Sequence, residues 1–167
     1  PNMFAGASPL QQTVAHNGLS GRRSTEALRL RAAQAFGKAQ LKGVLFRLFS
    51  SVLGRSTNLL DLSAVEEDSQ PGRRHFTGLK LVSINEIVGS AGRESDFDAG
   101  FHPLQEHNRE RWISVAIARQ RGIPLPPVEL VMIDSGYYVV DGHHRISVAK
   151  HMGQHEIEAE VTVWETS

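Results

Sequence analysis

The sequence predicts a small mixed α/β domain preceded by an N-terminal helical segment, and three patterns predict it. Ile157, Ala159, Val161 and Val163 alternate with Glu156, Glu158, Glu160 and Thr162, which gives a strand with one face in a core and one in water. Two apolar runs, Val128 to Ile133 and Tyr137 to Val140, flank Asp134-Ser135-Gly136 and read as a hairpin. Far upstream, Leu41, Leu45, Leu48 and Val52 recur at spacings of three and four, the period of a helix. At 167 residues the chain has room for one domain with a proper core and an appended segment, not for two full domains.

Composition narrows the chemistry. Hydrophobic residues at 40% and charged residues at 22% exclude collagen-like, coiled-coil and wholly disordered classes. With no cysteine, disulfides, thiolate zinc sites, iron–sulfur ligation and thiol nucleophiles are all excluded, so any chemistry comes from oxygen, nitrogen or a bound ligand. No apolar run approaches the ~18 residues of a membrane span, and the cluster Val44 to Phe49 is broken by Arg47. Pro1 to Ser20 lacks the basic-then-apolar order of a secretory signal, so a cytoplasmic location is expected. The eight histidines show no zinc-ligand spacing, and no metal site is assigned.

Taken in order, residues 1–23 are rich in Gly, Ser, Asn and Gln and are expected to form a flexible lead. Residues 24–60 form a basic amphipathic helical segment, with Ser24 as N-cap and Glu26 in the first turn. From Arg22 to Arg55, Arg22, Arg23, Arg29, Arg31, Lys38, Lys42, Arg47 and Arg55 meet the single acid Glu26. Residues 1–80 hold eleven basic against five acidic residues, a balance of +6, and residues 81–167 hold seven against thirteen, a balance of −6. Such a helix either binds nucleic acid or an anionic surface, or packs its apolar face on the domain and solvates its arginines. The width of that face favours packing, and Gly37 and Gly43 suggest close approach or a break into two helices. The cluster around Gly43 to Phe46 suits a homodimer contact as well as a core contact.

Residues 61–74 combine acids, Ser69, Pro71 and Gly72 and read as a linker, with the compact domain spanning 75–167. Leu79 to Ile84 forms a strand and Asn85 to Val88 a turn of helix. Gly89 to Gly100 forms a polar loop of functional length. Pro103 to Arg121 forms a helix ended by Gly122 and by Pro124, Pro126 and Pro127. After the hairpin, a helix from about His144 to Met152 is closed by Gly153, and the alternating strand ends the chain.

The segment that carries chemistry is Asp141-Gly142-His143-His144-Arg145. A strand runs into Asp-Gly and polar residues open a helix, so free amides, a positive dipole end and Arg145 converge where a phosphate would sit. Gly142 lets backbone approach an anion or take a positive φ, Arg145 offers a planar fork of donors, and His143 and His144 add donors that are charged only at lower pH. The alternative is a plain turn, with Asp141 as a cap and Arg145 paired to a surface acid.

Val139 to Ala149 resembles the signature segment of the ParB/sulfiredoxin superfamily, in which a strand leads into Gly-x-[His/Arg]-Arg and a helix with small residues. Asp141 to Arg145 is similar to the form found in the free serine kinases of that superfamily, and a looser likeness covers residues 79–164, leaving residues 1–74 outside. The resemblance implies an α/β domain that holds nucleotide phosphates on the Gly142 to Arg145 turn: CTP in partition proteins, ATP in sulfiredoxins, ADP in the serine kinases. Sulfiredoxin activity itself is excluded by the missing cysteine, and centromere binding is not expected because the sequence stops at Ser167 without the helix-turn-helix region of partition proteins. The resemblance also brings the Gly89 to Phe101 loop to the same pocket. There Arg93 would hold a phosphate or a substrate carboxylate, and Glu94, Asp96 or Asp98 would orient Mg²⁺ or take a hydroxyl proton. The alternative is a solvated acidic loop with Asp96 or Asp98 capping a turn, and His102 and Glu106 read as helix-start residues. The leading expectation is therefore a nucleotide-binding domain acting as a small ATP- or ADP-dependent phosphotransferase. A nucleotide-sensing module that contacts nucleic acid through Arg22 to Arg55 comes second, and a nuclease last.

Overall fold

The computed structural model of the chain describes residues 9–68 and 72–165, with residues 9–21 described by their backbone alone. A helix α1 (Pro9–Val52) leads into strand β1 (Leu60–Asp61), helix α2 (Leu62–Asp68), and strands β2 (Arg74–Ser83) and β3 (Ile87–Ser90). Helix α3 (Arg109–Gln120), the hairpin β4 (Val128–Ile133) and β5 (Gly136–Asp141), helix α4 (His143–His151) and strand β6 (Glu156–Trp164) complete it. The strands form one mixed sheet in the order β1-β3-β5-β4-β6-β2. β3 and β5 run parallel, β5 and β4 antiparallel, β4 and β6 parallel, and β6 and β2 antiparallel. The mixed α/β class expected from the sequence is the class observed.

Alternation in β6 works as read, because successive residues point to opposite faces, whereas β5 buries side chains on both faces. Val139 joins Leu130, Ile146, Ala149, Ala159 and Val161 in the main core, while its neighbour Tyr138 joins Leu62, Ile133 and Trp164 on the other face. The hairpin closes with Ile133 paired to Gly136 and Asp134 at φ 53°. A further cluster, Ala32, Phe36, Ala39, Trp112, Ile113, Ala116 and Val148, joins α1, α3 and α4.

Several expected boundaries are corrected. The α1 backbone is helical from Pro9, so the expected lead is helix over 9–23; its residues 1–8 lie outside the described residues. α1 also passes Gly37 and Gly43 unbroken. The apolar face expected to pack on the domain is the exposed one: Leu41, Leu45, Leu48 and Val52 face outward, and the smaller row Ala32, Phe36, Ala39 is buried. The expected linker holds the end of β1 and α2, β2 begins at Arg74, and residues 69–71 lie outside the described residues. Isolated turns replace the helix start at Pro103: the Asp98 amide donates to the His102 carbonyl and the Leu104 amide to the Asp96 carbonyl, holding 96–104 in a tight loop. A 3₁₀ turn, Glu106–Asn108, then opens α3. Asn85-Glu86 belongs to another 3₁₀ turn, Ile84–Glu86, while Ile87 and Val88 are strand. Among the described residues, no helix is long and apolar enough to cross a membrane.

Candidate functional site

Where β5 ends, Asp141 hands the chain to Gly142, whose φ of 106° turns it directly into α4. A side chain at Gly142 would put Cβ 2.5 Å from Val128 Cγ1. The glycine is therefore required by the turn and by Val128, and of its two expected roles the positive φ is the one observed. No side chain caps α4, so its first amides face outward from the helix end. A cavity of about 730 Å³ opens there, bounded by the Asp141 to Arg145 turn, by Arg93 from the loop after β3, and by Asn108, Arg111 and Ser114 from the start of α3.

Arg145 is not a free fork. Its Nη1 donates to the carbonyls of Pro126 and Pro127 at 2.6 and 2.7 Å, its Nη2 pairs with Asp141, and its side chain is 13% exposed. The guanidinium thus ties the segment before β4 to the turn, and the expectation that it presents its fork to a phosphate is corrected. The cations left at the cavity are Arg93 and Arg111, both exposed; Arg93 makes one ion pair, to Asp96 at 3.3 Å.

The two histidines are neutral groups here. His143 is buried, stacks on Phe97 with ring centres 5.9 Å apart, and places Nε2 2.7 Å from Ser90 Oγ. Burial first, and then the nearby Arg93, push its pKa from 6.5 to about 4. Burial, Arg93 and Arg111 hold His144 at about 4 as well. Both therefore stay neutral until well below pH 6. The Ser90 and His143 pair has the spacing of a nucleophile and its base. Ser90 is nevertheless fully buried and also accepts from the Arg93 amide at 3.2 Å, so it anchors the loop to α4.

The three acids separate. Asp98 is 1% exposed and accepts from the amides of Gly100 and His102, and His102 Nδ1 lies 3.0 Å from its Oδ1, so it braces its own loop away from the cavity lining. Glu94 accepts from the Gly92 amide at 2.8 Å, closing its own turn. Asp96 lies between two cavity residues, 3.3 Å from Arg93 and 3.1 Å from His107. Of the acids in that loop, Asp96 is the one paired with residues that line the cavity.

Asn108 stands out among residues that the sequence did not single out. It is 1% exposed, lines the cavity, and places Oδ1 3.1 Å from His144 Nε2, yet its Nδ2 has no partner among the described residues. A buried orphan donor costs about 1–3 kcal/mol, and this one sits at the wall of an open space. Lone Ser90, Asn108 and Arg111 belong to no motif, so no signal in the sequence marked them. Among the described residues, no group of three His, Asp or Glu side chains converges as a metal ion would need.

No family model matches the chain, and no curated protein matches it. Among solved structures, sulfiredoxin from Arabidopsis thaliana is similar over 52% of this chain and 86% of its own, at 11% identity and a TM-score of 0.41.

Proposed function

We propose that residues 75–165 form a nucleotide-binding domain of the ParB/sulfiredoxin type that receives a phosphate group at the start of α4. One conjunction carries this reading: an uncapped helix N-terminus, two arginines and a buried unpartnered amide share a single cavity. The first amides of α4 would donate to the phosphate oxygens, Arg93 and Arg111 would neutralise their charge, and Asn108 Nδ2 would find an acceptor on the ligand. Since both histidines are neutral near pH 7, the positive charge of the site rests on the two arginines.

The finer reading, a small ATP- or ADP-dependent phosphotransferase, assigns the acceptor-activating carboxylate to Asp96. Phosphoryl transfer needs mainly positioning and neutralisation, and Asp96 is held by Arg93 and His107 beside the phosphate end. Mg²⁺ carried in by the nucleotide needs one or two carboxylates from a protein, which Asp96 and the exposed Asp141 can supply.

The test is thermal unfolding with ATP, ADP and CTP, each with and without Mg²⁺. At least one is expected to raise Tm, as any ligand that binds only the folded state does. Arg93→Ala and Arg111→Ala are expected to keep the unliganded Tm and lose the shift. No shift with any nucleotide, or an undiminished shift in both variants, overturns the proposal. Arg145→Ala is unsuited to this test because its guanidinium holds protein groups.

A further inference from the structure

Helix α1 has two faces that the body of the protein treats oppositely. Phe36, Gly43 and Ser50, seven residues apart, lie buried in one row, with Ala32 and Ala39 beside them. Leu41, Leu45, Leu48 and Val52 are 60%, 47%, 60% and 86% exposed. At ~100° per residue their row stands roughly 180° from the buried one. Val44, Phe49 and Leu53 widen this outer stripe, and Leu30 precedes it.

We propose that the outer stripe is the seam of a homodimer, in which α1 of one copy packs on α1 of a second copy of this chain. The spacing argues for a helical occupant: steps of four, three and four set Leu41 seven residues from Leu48 and Leu45 seven from Val52, the a/d spacing of a heptad that keeps a stripe facing a partner helix as the two wind together. The charge pattern argues against a nucleic acid or a lipid surface, both of which want cations beside the apolar residues. Between Leu41 and Leu53 the charged residues are Lys42 and Arg47 alone, while the other basic residues of the helix stand upstream. The stripe carries no pattern of charge that would require a complementary partner, so it can meet its own copy across a two-fold axis. Its size fits as well. Seven large side chains left this open between Leu41 and Leu53 exceed the patch of a few hundred Å² usual for a monomer.

Sedimentation of the full chain across the micromolar range tests the seam. The expected result is twice the monomer mass for the native chain and the monomer mass for the Leu45→Glu/Leu48→Glu double variant, with unchanged far-ultraviolet circular dichroism. Leu48→Cys gives a second test, because the chain has no cysteine of its own. Mild oxidation of that variant is expected to yield a covalent dimer. A native chain that stays monomeric, a dimer that survives the double change, or a Leu48→Cys variant that fails to cross-link overturns the proposal. Monomeric native chain that co-sediments with anionic vesicles, and a double variant that does not, would overturn it and assign the face to lipid.

Discussion

Arg145 shows how one side chain can look like a ligand group and act as a strut. The Asp141 to Arg145 segment was legible as a turn into a helix, because strand residues, Asp-Gly and a small-residue helix follow each other in sequence. The use of the guanidinium was not, since its acceptors at Pro126 and Pro127 lie 19 and 18 residues upstream and are brought near by the hairpin. Arg145→Ala should therefore lower stability by about 1–3 kcal/mol through stranded acceptors, measured by urea unfolding without any ligand. Gly142→Ala should cost more than about 2 kcal/mol, because a positive φ and a collision with Val128 add. Gly153→Ala, with a φ of 80° and open space around it, should cost about 1 kcal/mol. His143 and His144 set a pH dependence. Their folded pKa values lie near 4, below the ordinary 6.5. The unfolded chain therefore binds more protons between those limits, and stability falls as pH drops from about 6.5 toward 4. The slope should approach about 1.4 kcal/mol per pH unit for each histidine. His144→Gln should reduce that slope in denaturation series at pH 7, 6 and 5, and a slope unchanged by the substitution would count against this account.

At the scale of elements, period decided what was readable. The alternation of β6 and the hairpin of β4 and β5 appear within one or two residues of their expected places, because a strand with one buried face writes its burial directly into sequence. In α1 the same logic located the helix and misassigned its buried face. Leucines drew the reading to Leu41, Leu45, Leu48 and Val52, whereas contact with α3 selects the small residues Ala32 and Ala39, which let the two helices approach, and Phe36, which meets Trp112 edge-on at 5.7 Å between ring centres. Two substitutions of one residue type separate the faces. In the Leu45→Glu/Leu48→Glu background, which removes any effect of self-association, Phe36→Ala should cost about 3–5 kcal/mol and Phe49→Ala less than about 0.5 kcal/mol. The start of α3 was misread for a different reason. Pro103 suits a first helical turn, yet hydrogen bonds between 96 and 104 claim that stretch for a loop, and such bonds follow no sequence period.

For the molecule as a whole, charge is divided as the sequence indicated, with the basic residues on the leading helix and the acids concentrated in the α/β unit. The cavity joins three separated stretches, the loop after β3, the start of α3 and the start of α4. No linear motif could have reported that meeting. The sheet itself has a further consequence, for the order of events in time. Its longest ladder pairs β2 with β6, from Arg74 opposite Trp164 to Ser83 opposite Glu156. A nascent chain can form the β4 and β5 hairpin as soon as both strands emerge, but β2 must wait, its edge open, until β6 has been synthesised. Closing a loop of that length is what slows folding in proteins dominated by distant pairings, so translation of the final strand sets the earliest moment at which this sheet can be whole.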